Sequence, residues 1–462
     1  MARSHLWLAR FLTDYGMVFV LLALCVYYSV VTLRVQYATG NAGGRELARE
    51  ILRREGPGDR VVIVTGTAVQ DGLFAAGLAA ELEQAGRTVH ARVSGHPSDV
   101  RQALQQLAQG AEKPDLIAAS HRAGRWAFME HLDRACPGLG AVPVVSPPGY
   151  LWPSFLKTSN LLNIANQIAV IAIIAIGMTM VIITGGIDLS VGSLIALSAV
   201  LAALLIRALA GGENASALGM VACCLAGIAI CALVGLLSGL CVTLFRIAPF
   251  IVTLAMMQIG SGLAFIVAEG QSIYQVPETF VWLGRGADLL GVPNAVVLMA
   301  GLYLAAHLVM TRTTLGRYIY AVGGNAEAAR LSGVPVKRVL LLVYTISGAL
   351  AGLGGVAMAS LLKSGAPTYG QMYELYVIAA VVVGGTSVSG GEGKVLGTLI
   401  GAFLIAVIQN GMNLTGVTSY TQKVVLGAVI LGAVLLDQAK KGPWKWPGWF
   451  RSPRALRACE ST

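Results

Sequence analysis

Long apolar runs separated by short polar stretches make up most of this chain. The runs cover approximately residues 17–33, 160–184, 190–210, 216–244, 249–268, 294–311, 339–361, 373–389, 395–412 and 420–437. Most of them approach the roughly 20 residues that an α-helix needs to cross a bilayer. The pattern therefore predicts an α-helical polytopic membrane protein with about ten transmembrane helices.

One polar region interrupts this pattern between the first and second apolar runs. Residues 60–64, 88–93, 116–119 and 142–145 have the composition of strands, and amphipathic helical segments lie between them. This alternation predicts a small α/β insert with a parallel sheet. We therefore divide the chain into a tail with the first helix (1–36), the insert (44–150), a core with nine further spans (152–441) and a C-terminal tail (442–462).

The composition agrees with a membrane protein, since 56% of the residues are hydrophobic and only 12% are charged. Between Gln36 and Trp152 there are 12 basic and 12 acidic residues, so the net charge of +10 comes from the remaining 21 Lys/Arg and 11 Asp/Glu. These cations flank the apolar runs, as the positive-inside rule expects, and indicate no nucleic-acid partner. On a ten-span topology 15 of them fall on the side of both termini and six on the other. We expect cytoplasmic termini and an extracytoplasmic insert.

The sequence GGIDLSVG at 185–192 places Asp188 between two apolar runs. A carboxylate is expensive in that setting and is seldom kept without a function. A Gly-Gly pair followed by a short polar dip is typical of a broken or re-entrant element in a transporter. Asp188 and Ser190 either line a translocation path or only cap the second helix, and the two roles are compatible.

Several strings extend this interpretation to a family. TGGIDLSVG at 184–192 closely resembles the signature of ribose/xylose/galactose-type permeases, the membrane subunits of bacterial ABC importers. FLKTSNLLNI at 155–164, GRYIYAVGGN at 316–325, ARLSGV at 329–334, YEL at 373–375, AAVVVGGTS at 379–387 and GTLIG at 397–401 follow in the order of that family. The resemblance covers about 152–441 and is absent over about 44–150. It implies a permease for a monosaccharide or a similar small polar solute.

The resemblance also implies partners and a location. The predicted protein partners are a cytoplasmic ABC ATPase subunit, an extracytoplasmic solute-binding protein, and a second permease copy or a paralogue. The predicted location is a bacterial inner membrane, where the spans contact lipid. Gly393 and Lys394 do not form a phosphate loop, because Val388 and Val395 stand where that motif needs Gly and Ser/Thr. We therefore expect no cofactor on this chain and ATP binding by the separate ATPase. The Cys and His residues show neither a disulfide framework nor the spacing of a metal site.

The polar segment 311–338 is the longest predicted cytoplasmic loop. Asn325 can cap a short helix that Gly333 and Pro335 end. In the family that the chain resembles, this loop carries the helix that sits in a groove of the ATPase. The coupling-loop candidates are Gly324, Asn325, Glu327, Ala328, Ala329, Arg330 and Gly333. An ordinary basic loop that satisfies topology is the alternative.

Polar residues near the predicted helix breaks are candidates for the translocation path, since amides and carboxylates can match sugar hydroxyls. They are Asn163, Asn166, Gln167, Asp188, Ser190, Gln258, Glu374, Gln409, Asn410 and Asn413. Each could equally form a hydrogen bond between helices. Glu374, at the outer end of its predicted span, could instead meet a binding protein. Gly-xxx-Gly pairs, such as Gly235/Gly239 and Gly348/Gly352, predict close helix packing within the subunit or between subunits.

The insert weakly resembles one lobe of a periplasmic sugar-binding protein. Those proteins carry an Asn-Asp or Asp-rich turn after their third strand, whereas this chain has SHRAGRW at 120–126. We therefore expect a docking or structural role, with an inert decoration as the alternative. Two other functions stay open for the whole chain: an ion-coupled secondary carrier, and a membrane-tethered receptor that uses the insert.

Overall fold

The computed structural model describes residues 2–53, 60–110 and 113–441 and divides into two compact units. The first unit, the permease unit, comprises Met1–Thr32 and Phe155–Thr462, and the second, the insert unit, comprises Leu33–Ser154. The permease unit begins with helix α1 (Ala2–Val31), which starts well before the predicted apolar run. The predicted tail 442–462 lies outside the described residues.

In its described residues, the insert unit has six strands and six α-helices. In chain order these are β1 (Leu33–Tyr37), α2 (Gly40–Arg53), β2 (Arg60–Thr65), α3 (Val69–Gln84), β3 (Thr88–Ser94), α4 (Pro97–Gln109), β4 (Leu116–Ala119), α5 (His121–Gly124), α6 (Ala127–Glu130), α7 (Leu132–Ala135), β5 (Val144–Val145) and β6 (Gly149–Pro153). Four of the strands form a sheet in the order β3-β2-β4-β5, and every neighbouring pair is parallel.

The central strand β2 explains why this sheet is covered on both faces. Its side chains alternate between the faces, as the pleat of a strand requires. Val61 and Ile63 pack in one apolar cluster with residues of α2 and α3, while Val62 and Val64 pack in a second cluster with residues of α4. All four side chains are fully buried. A strand buried on both faces has the near-continuous apolar sequence seen here.

Two features of the insert unit differ from the sequence-based expectation. Helix α2 was not predicted, although it contributes Leu47, Ala48 and Ile51 to the core. Strands β1 and β6 form an antiparallel ribbon, with Leu33 opposite Pro153. The ribbon joins the two ends of the unit, so the unit begins at Leu33 instead of the expected residue 44.

The rest of the permease unit is helical. Its further helices are α8 (Thr158–Ile183), α9 (Val191–Leu209), α10 (Ala217–Leu244), α11 (Pro249–Val267), α12 (Trp282–Arg285), α13 (Asn294–Arg312), α14 (Thr314–Gly324), α15 (Ala326–Leu331), α16 (Val336–Leu362), α17 (Tyr373–Val383), α18 (Val395–Leu414) and α19 (Ser419–Lys441). Three short 3-10 turns lie among the elements of the chain, at Pro137–Leu139, Gly212–Asn214 and Glu278–Val281.

Seven helices of the described part of the chain are long and apolar enough to cross a membrane: α8, α9, α10, α11, α13, α16 and α18. The other three predicted spans coincide with shorter apolar helices, at Gly16–Val31, Tyr373–Val383 and Ser419–Leu435. Helix α8 is the centre of the unit, since 89% of its most apolar stretch is buried, against 28% for α10 and 22% for α11. The permease unit is therefore a helical bundle built around α8.

Glycines allow α10 and α16 to pack backbone against backbone. A Cβ at Gly348 would overlap the carbonyl oxygen of Cys231, and it would lie 3.1 Å from the Cα of Gly235. A Cβ at Gly352 would lie 3.0 Å from the Cα of Ile228. These contacts confirm the interpretation of the Gly-xxx-Gly pairs as packing sites within the subunit.

We predict that residues 33–154 fold when expressed alone and that two leucines of α3 contribute unequally to their stability. Leu78 is fully buried, whereas Leu73 is 46% exposed. Leu78→Ala should lower the free energy of unfolding by about 2–5 kcal/mol, because it leaves a cavity in the core. Leu73→Ala should change it by no more than about 0.5 kcal/mol. Urea unfolding followed by circular dichroism measures both, and equal effects would contradict the packing described.

Candidate functional site

Two non-helical breaks in the described part of the bundle each contain a Gly-Gly pair. The first break is residues 184–190, between α8 and α9, and the second break is residues 384–394, between α17 and α18. Gly185 has a φ of +79° and turns the chain back after α8, a conformation that few residues other than glycine adopt. Backbone that leaves a helix inside an apolar bundle must find new hydrogen-bond partners in the protein.

Asp188 supplies these partners in the first break. Its side chain is only 1% exposed. One carboxylate oxygen accepts hydrogen bonds from the Ser190 amide at 3.0 Å and from the Ser190 hydroxyl at 2.6 Å. The other oxygen accepts one from the Ser347 hydroxyl of α16 at 2.7 Å. Asp188 therefore both orders the entry to α9 and fastens it to α16.

Other side chains complete the surroundings of the first break. Tyr344 of α16 is fully buried, and its hydroxyl occupies the position that a Cβ would take on Gly186. Among the residues that the structure describes, that hydroxyl has no hydrogen-bond partner. From α11, the Thr253 hydroxyl donates to the carbonyl oxygen of Ile187 at 3.0 Å. The first break is thus enclosed by α11 and α16.

The second break lies against the first. The Gly391 amide donates to the carbonyl oxygen of Ile183, the last residue of α8, at 2.8 Å. Within the break, the Ser387 amide donates to the carbonyl oxygen of Glu392 at 3.0 Å. The second break therefore packs against the end of α8 beside the first break, and two of its amides have backbone partners within the protein.

Buried hydroxyls strengthen this junction nearby. Thr179 of α8 and Thr398 of α18 are both fully buried, and their hydroxyl oxygens are 2.8 Å apart. The Thr179 hydroxyl also contacts the Ala175 carbonyl oxygen at 2.6 Å. A polar bridge of this kind connects the helix before the first break to the helix after the second.

Glu374 lies at the start of a helix that is too short to cross a bilayer. Helix α17 has 11 residues, about 16 Å of helix, whereas the sequence pattern predicted a full span over 373–389. The half-buried Glu374 carboxylate occupies the place of a Cβ on Gly192, in the first turn of α9. The helix is therefore shorter than the predicted span, and Glu374 lies at its start, close to the first break.

The segment before α17 explains this placement. Residues 363–372 are not helical and run along α9. Gly365 packs on Ala199 and Ala203, while Gly370 packs on Gly192 and Ile195. The chain thus re-enters the bundle beside α9 before α17 begins. A half-helix that begins inside a bundle is a recurrent element of transporter binding sites.

The structure brings only three of the polar path candidates together at the breaks, namely Asp188, Ser190 and Glu374. Asn410 of α18 instead forms a reciprocal amide pair with Asn160 of α8, at 2.9 and 3.0 Å. The Asn166 side chain of α8 donates a hydrogen bond to the Gly284 carbonyl oxygen of α12 at 3.0 Å, so it connects two helices.

The remaining path candidates lie apart from the breaks. Gln258 is exposed on α11, a helix whose apolar surface is largely uncovered. Asn413 is exposed and accepts a hydrogen bond from Gln422 at 2.7 Å. Asn163 and Gln167 are exposed on α8, and Gln409 is half-buried on α18.

The predicted coupling loop forms the short helix α15. The Asn325 side chain accepts a hydrogen bond from the Ala328 amide at 2.9 Å, which confirms the predicted cap. Gly333, with a φ of +84°, follows the helix. Glu327 and Arg330 form an ion pair of 2.9 Å on its exposed side. Gly324 and Ala328 are exposed as well, whereas Ala329 is buried.

Sequence reasoning missed the residues that hold the breaks from neighbouring helices. They are Thr179, Tyr320, Gly323, Tyr344, Ser347 and Thr398. A signal existed for Tyr344 and Ser347, since two polar side chains three positions apart share one face of an otherwise apolar span.

Comparisons with known proteins agree with this architecture. The family described as "Branched-chain amino acid transport system / permease component" matches residues 160–434, which begin after the insert unit. The chain is 45% identical to the ribose import permease of Escherichia coli K12 over 295 residues, 63% of this chain and 89% of the relative. No solved structure gives a significant match.

Two further relatives give the same result. The ribose import permease of Bacillus subtilis 168 is 44% identical over 306 residues, 66% of this chain and 92% of the relative. The L-arabinose ABC transporter permease of Azospirillum brasilense is 36% identical over 289 residues, 63% of this chain and 83% of the relative.

A bundle with seven candidate spans and two helix breaks that meet inside it is the architecture of a multi-pass membrane transporter. With the family match over more than half of its length, the chain belongs to this permease family and is the permease subunit of an ABC importer.

We predict that Asp188→Ala and Asp188→Asn differ in stability. Ala removes the acceptors of three hydrogen bonds and should lower the free energy of unfolding by roughly 3 kcal/mol. Asn keeps one acceptor oxygen for Ser190, and its amide can donate to the Ser347 hydroxyl, so it should stay within about 1 kcal/mol of the wild type. Thermal unfolding of the purified permease in detergent measures the difference, and equal stability of the two variants would contradict it.

Proposed function

We propose that this chain is the translocation subunit of an importer for a monosaccharide or a similar small polar solute. A separate ABC ATPase on the cytoplasmic side would drive it, and a solute-binding protein on the other side would deliver the solute. The observation that carries the proposal is the extent of the match, which spans 89% of a ribose import permease at 45% identity. We further propose a ten-span core in an inner membrane, with both termini cytoplasmic and a second copy or a paralogue completing the pore.

The three polar groups at the breaks suit this role. Asp188, Ser190 and Glu374 provide oxygens next to glycine backbone, and such groups can exchange hydrogen bonds with sugar hydroxyls. The Glu374 residue is half-buried and so partly accessible, whereas Asp188 is fully enclosed. We therefore propose that Glu374 is the path residue of this group and that Asp188 supports its surroundings.

Helix α15 is proposed as the contact for the ATPase. Its Glu327 and Arg330 side chains are 76% and 65% exposed, so their ion pair contributes little to the fold. Exposed charges on a short, capped helix are suited to recognition by a partner protein. We assign ATP binding to that partner, since this chain lacks a phosphate loop.

The insert unit is proposed to face the extracytoplasmic side and to help a solute-binding protein dock. Support comes from its independent core and its position outside the region that matches the family. The ring of Tyr37, the last residue of β1, stacks on the ring of His121, which follows the end of β4, and the ring centroids are 3.2 Å apart. This stacking occupies part of the sheet edge where parallel α/β domains usually bind ligands, so docking suits the unit better than solute capture.

Uptake of labelled solutes tests the proposed function. Cells that express this chain with its ATPase and binding protein should accumulate at least one labelled monosaccharide, and cells that lack only this chain should not. The panel should include pentoses, hexoses and leucine, since the matching family is named for branched-chain amino acids. Uptake of leucine with no uptake of any sugar would contradict the proposed solute class.

The ATPase contact gives a separate prediction. Replacing both Glu327 and Arg330 by Ala should strongly reduce uptake while membrane insertion of the permease stays normal, because both side chains are exposed. The exchange variant Glu327→Arg with Arg330→Glu restores the ion pair within α15 but reverses its charge pattern. It should be as defective as the double-Ala variant. Wild-type uptake by the exchange variant would show that only the stability of α15 matters.

A further inference from the structure

Helix α14, which leads directly into α15, ends against both breaks. Its buried residues Gly316, Ile319 and Val322 fix it to the bundle. At its end, a Cβ on Gly323 would overlap the carbonyl oxygen of Ile183 and would lie 2.6 Å from the Gly391 nitrogen. The end of α14 is therefore in direct backbone contact with the last residue of α8, where the first break begins, and with the second break.

Three hydrogen-bonded or tightly packed contacts hold this meeting point together. The Gly391 amide donates to the Ile183 carbonyl oxygen at 2.8 Å, and the Tyr320 hydroxyl of α14 donates to the Gly393 carbonyl oxygen at 2.7 Å. Gly390 has a φ of +84°, and a Cβ there would lie 3.0 Å from the Gly323 carbonyl oxygen. The contacts of Gly391 with Ile183 and of Gly390 with Gly323 are between backbone groups, so rotation of side chains cannot relax them.

We propose that Gly323 is the positioning residue through which a movement of α15 reaches both helix breaks together. This inference rests on the proposed function, in which the ATPase moves α15. A rigid helix end that is seated on two breaks transmits a small displacement to both, because packed interfaces have discrete arrangements and do not deform continuously. Asp188 and Glu374, which lie at the first break, would then move with the ATPase cycle.

The test compares Gly323→Ala with Gly301→Ala. Gly301 lies in α13, and a Cβ there would contact nothing within 4 Å, so it is a matched control for the same change in a helix. Each variant is reconstituted with its ATPase and binding protein, and solute uptake and ATP hydrolysis are measured together. Gly323→Ala should lower the uptake per ATP hydrolysed by about 5- to 150-fold, the usual range of a coupling between two sites. Gly301→Ala should keep the wild-type ratio.

The ratio separates coupling from a merely structural effect, since misfolding lowers uptake and coupled hydrolysis in proportion. A wild-type ratio for Gly323→Ala would overturn the proposal. If that variant does not assemble, Tyr320→Phe tests the proposal in its place, because it removes the hydroxyl that bonds to Gly393 and adds no volume. Loss of that hydrogen bond should lower the ratio about fivefold, and an unchanged ratio would then overturn the proposal. Absence of ATP-driven uptake in the wild-type complex would instead contradict the proposed function.

Discussion

The permease unit depends on one constraint: backbone that leaves a helix inside an apolar bundle needs hydrogen-bond partners from the protein. Two breaks interrupt the bundle, and the second contacts the end of α8, next to the first, through the hydrogen bond from the Gly391 amide to the Ile183 carbonyl oxygen. Asp188 then satisfies the entry to α9 and takes a third hydrogen bond from Ser347. The central position of α8 follows, since both breaks and the helices that enclose them pack around its end.

The same constraint connects the centre of the bundle to the cytoplasmic loop. The contacts of Gly323 and Tyr320 place the end of α14 on the meeting point of the breaks. The helix that the ATPase is proposed to move and the first break, beside which Glu374 lies, are therefore joined by a short run of backbone. A permease of this design needs no extended series of side-chain contacts to link ATP hydrolysis with the translocation path.

Much of this architecture could be predicted from the sequence. The apolar runs predicted the apolar helices, the string GGIDLSVG predicted the first break, and Asn325 predicted the cap of α15. These predictions succeeded because each signal is local in the sequence. The ribbon of β1 and β6 was missed because its strands are more than 100 residues apart and neither is strongly apolar. The length of the helix predicted over 373–389 was overestimated for a related reason: an apolar stretch reveals that a segment is buried, but not that only 11 of its residues are helical.

Amide hydrogen exchange tests most directly whether the backbone of the two breaks finds its hydrogen-bond partners within the protein. The purified permease in lipid nanodiscs would be exchanged into deuterated buffer, and peptides covering 184–191 and 386–393 compared with a peptide from the middle of α8. The account predicts that the amides of Ser190, Ser387 and Gly391 exchange nearly as slowly as those of α8, because each donates to a group within the bundle. Exchange as fast as that of an exposed terminus would contradict it.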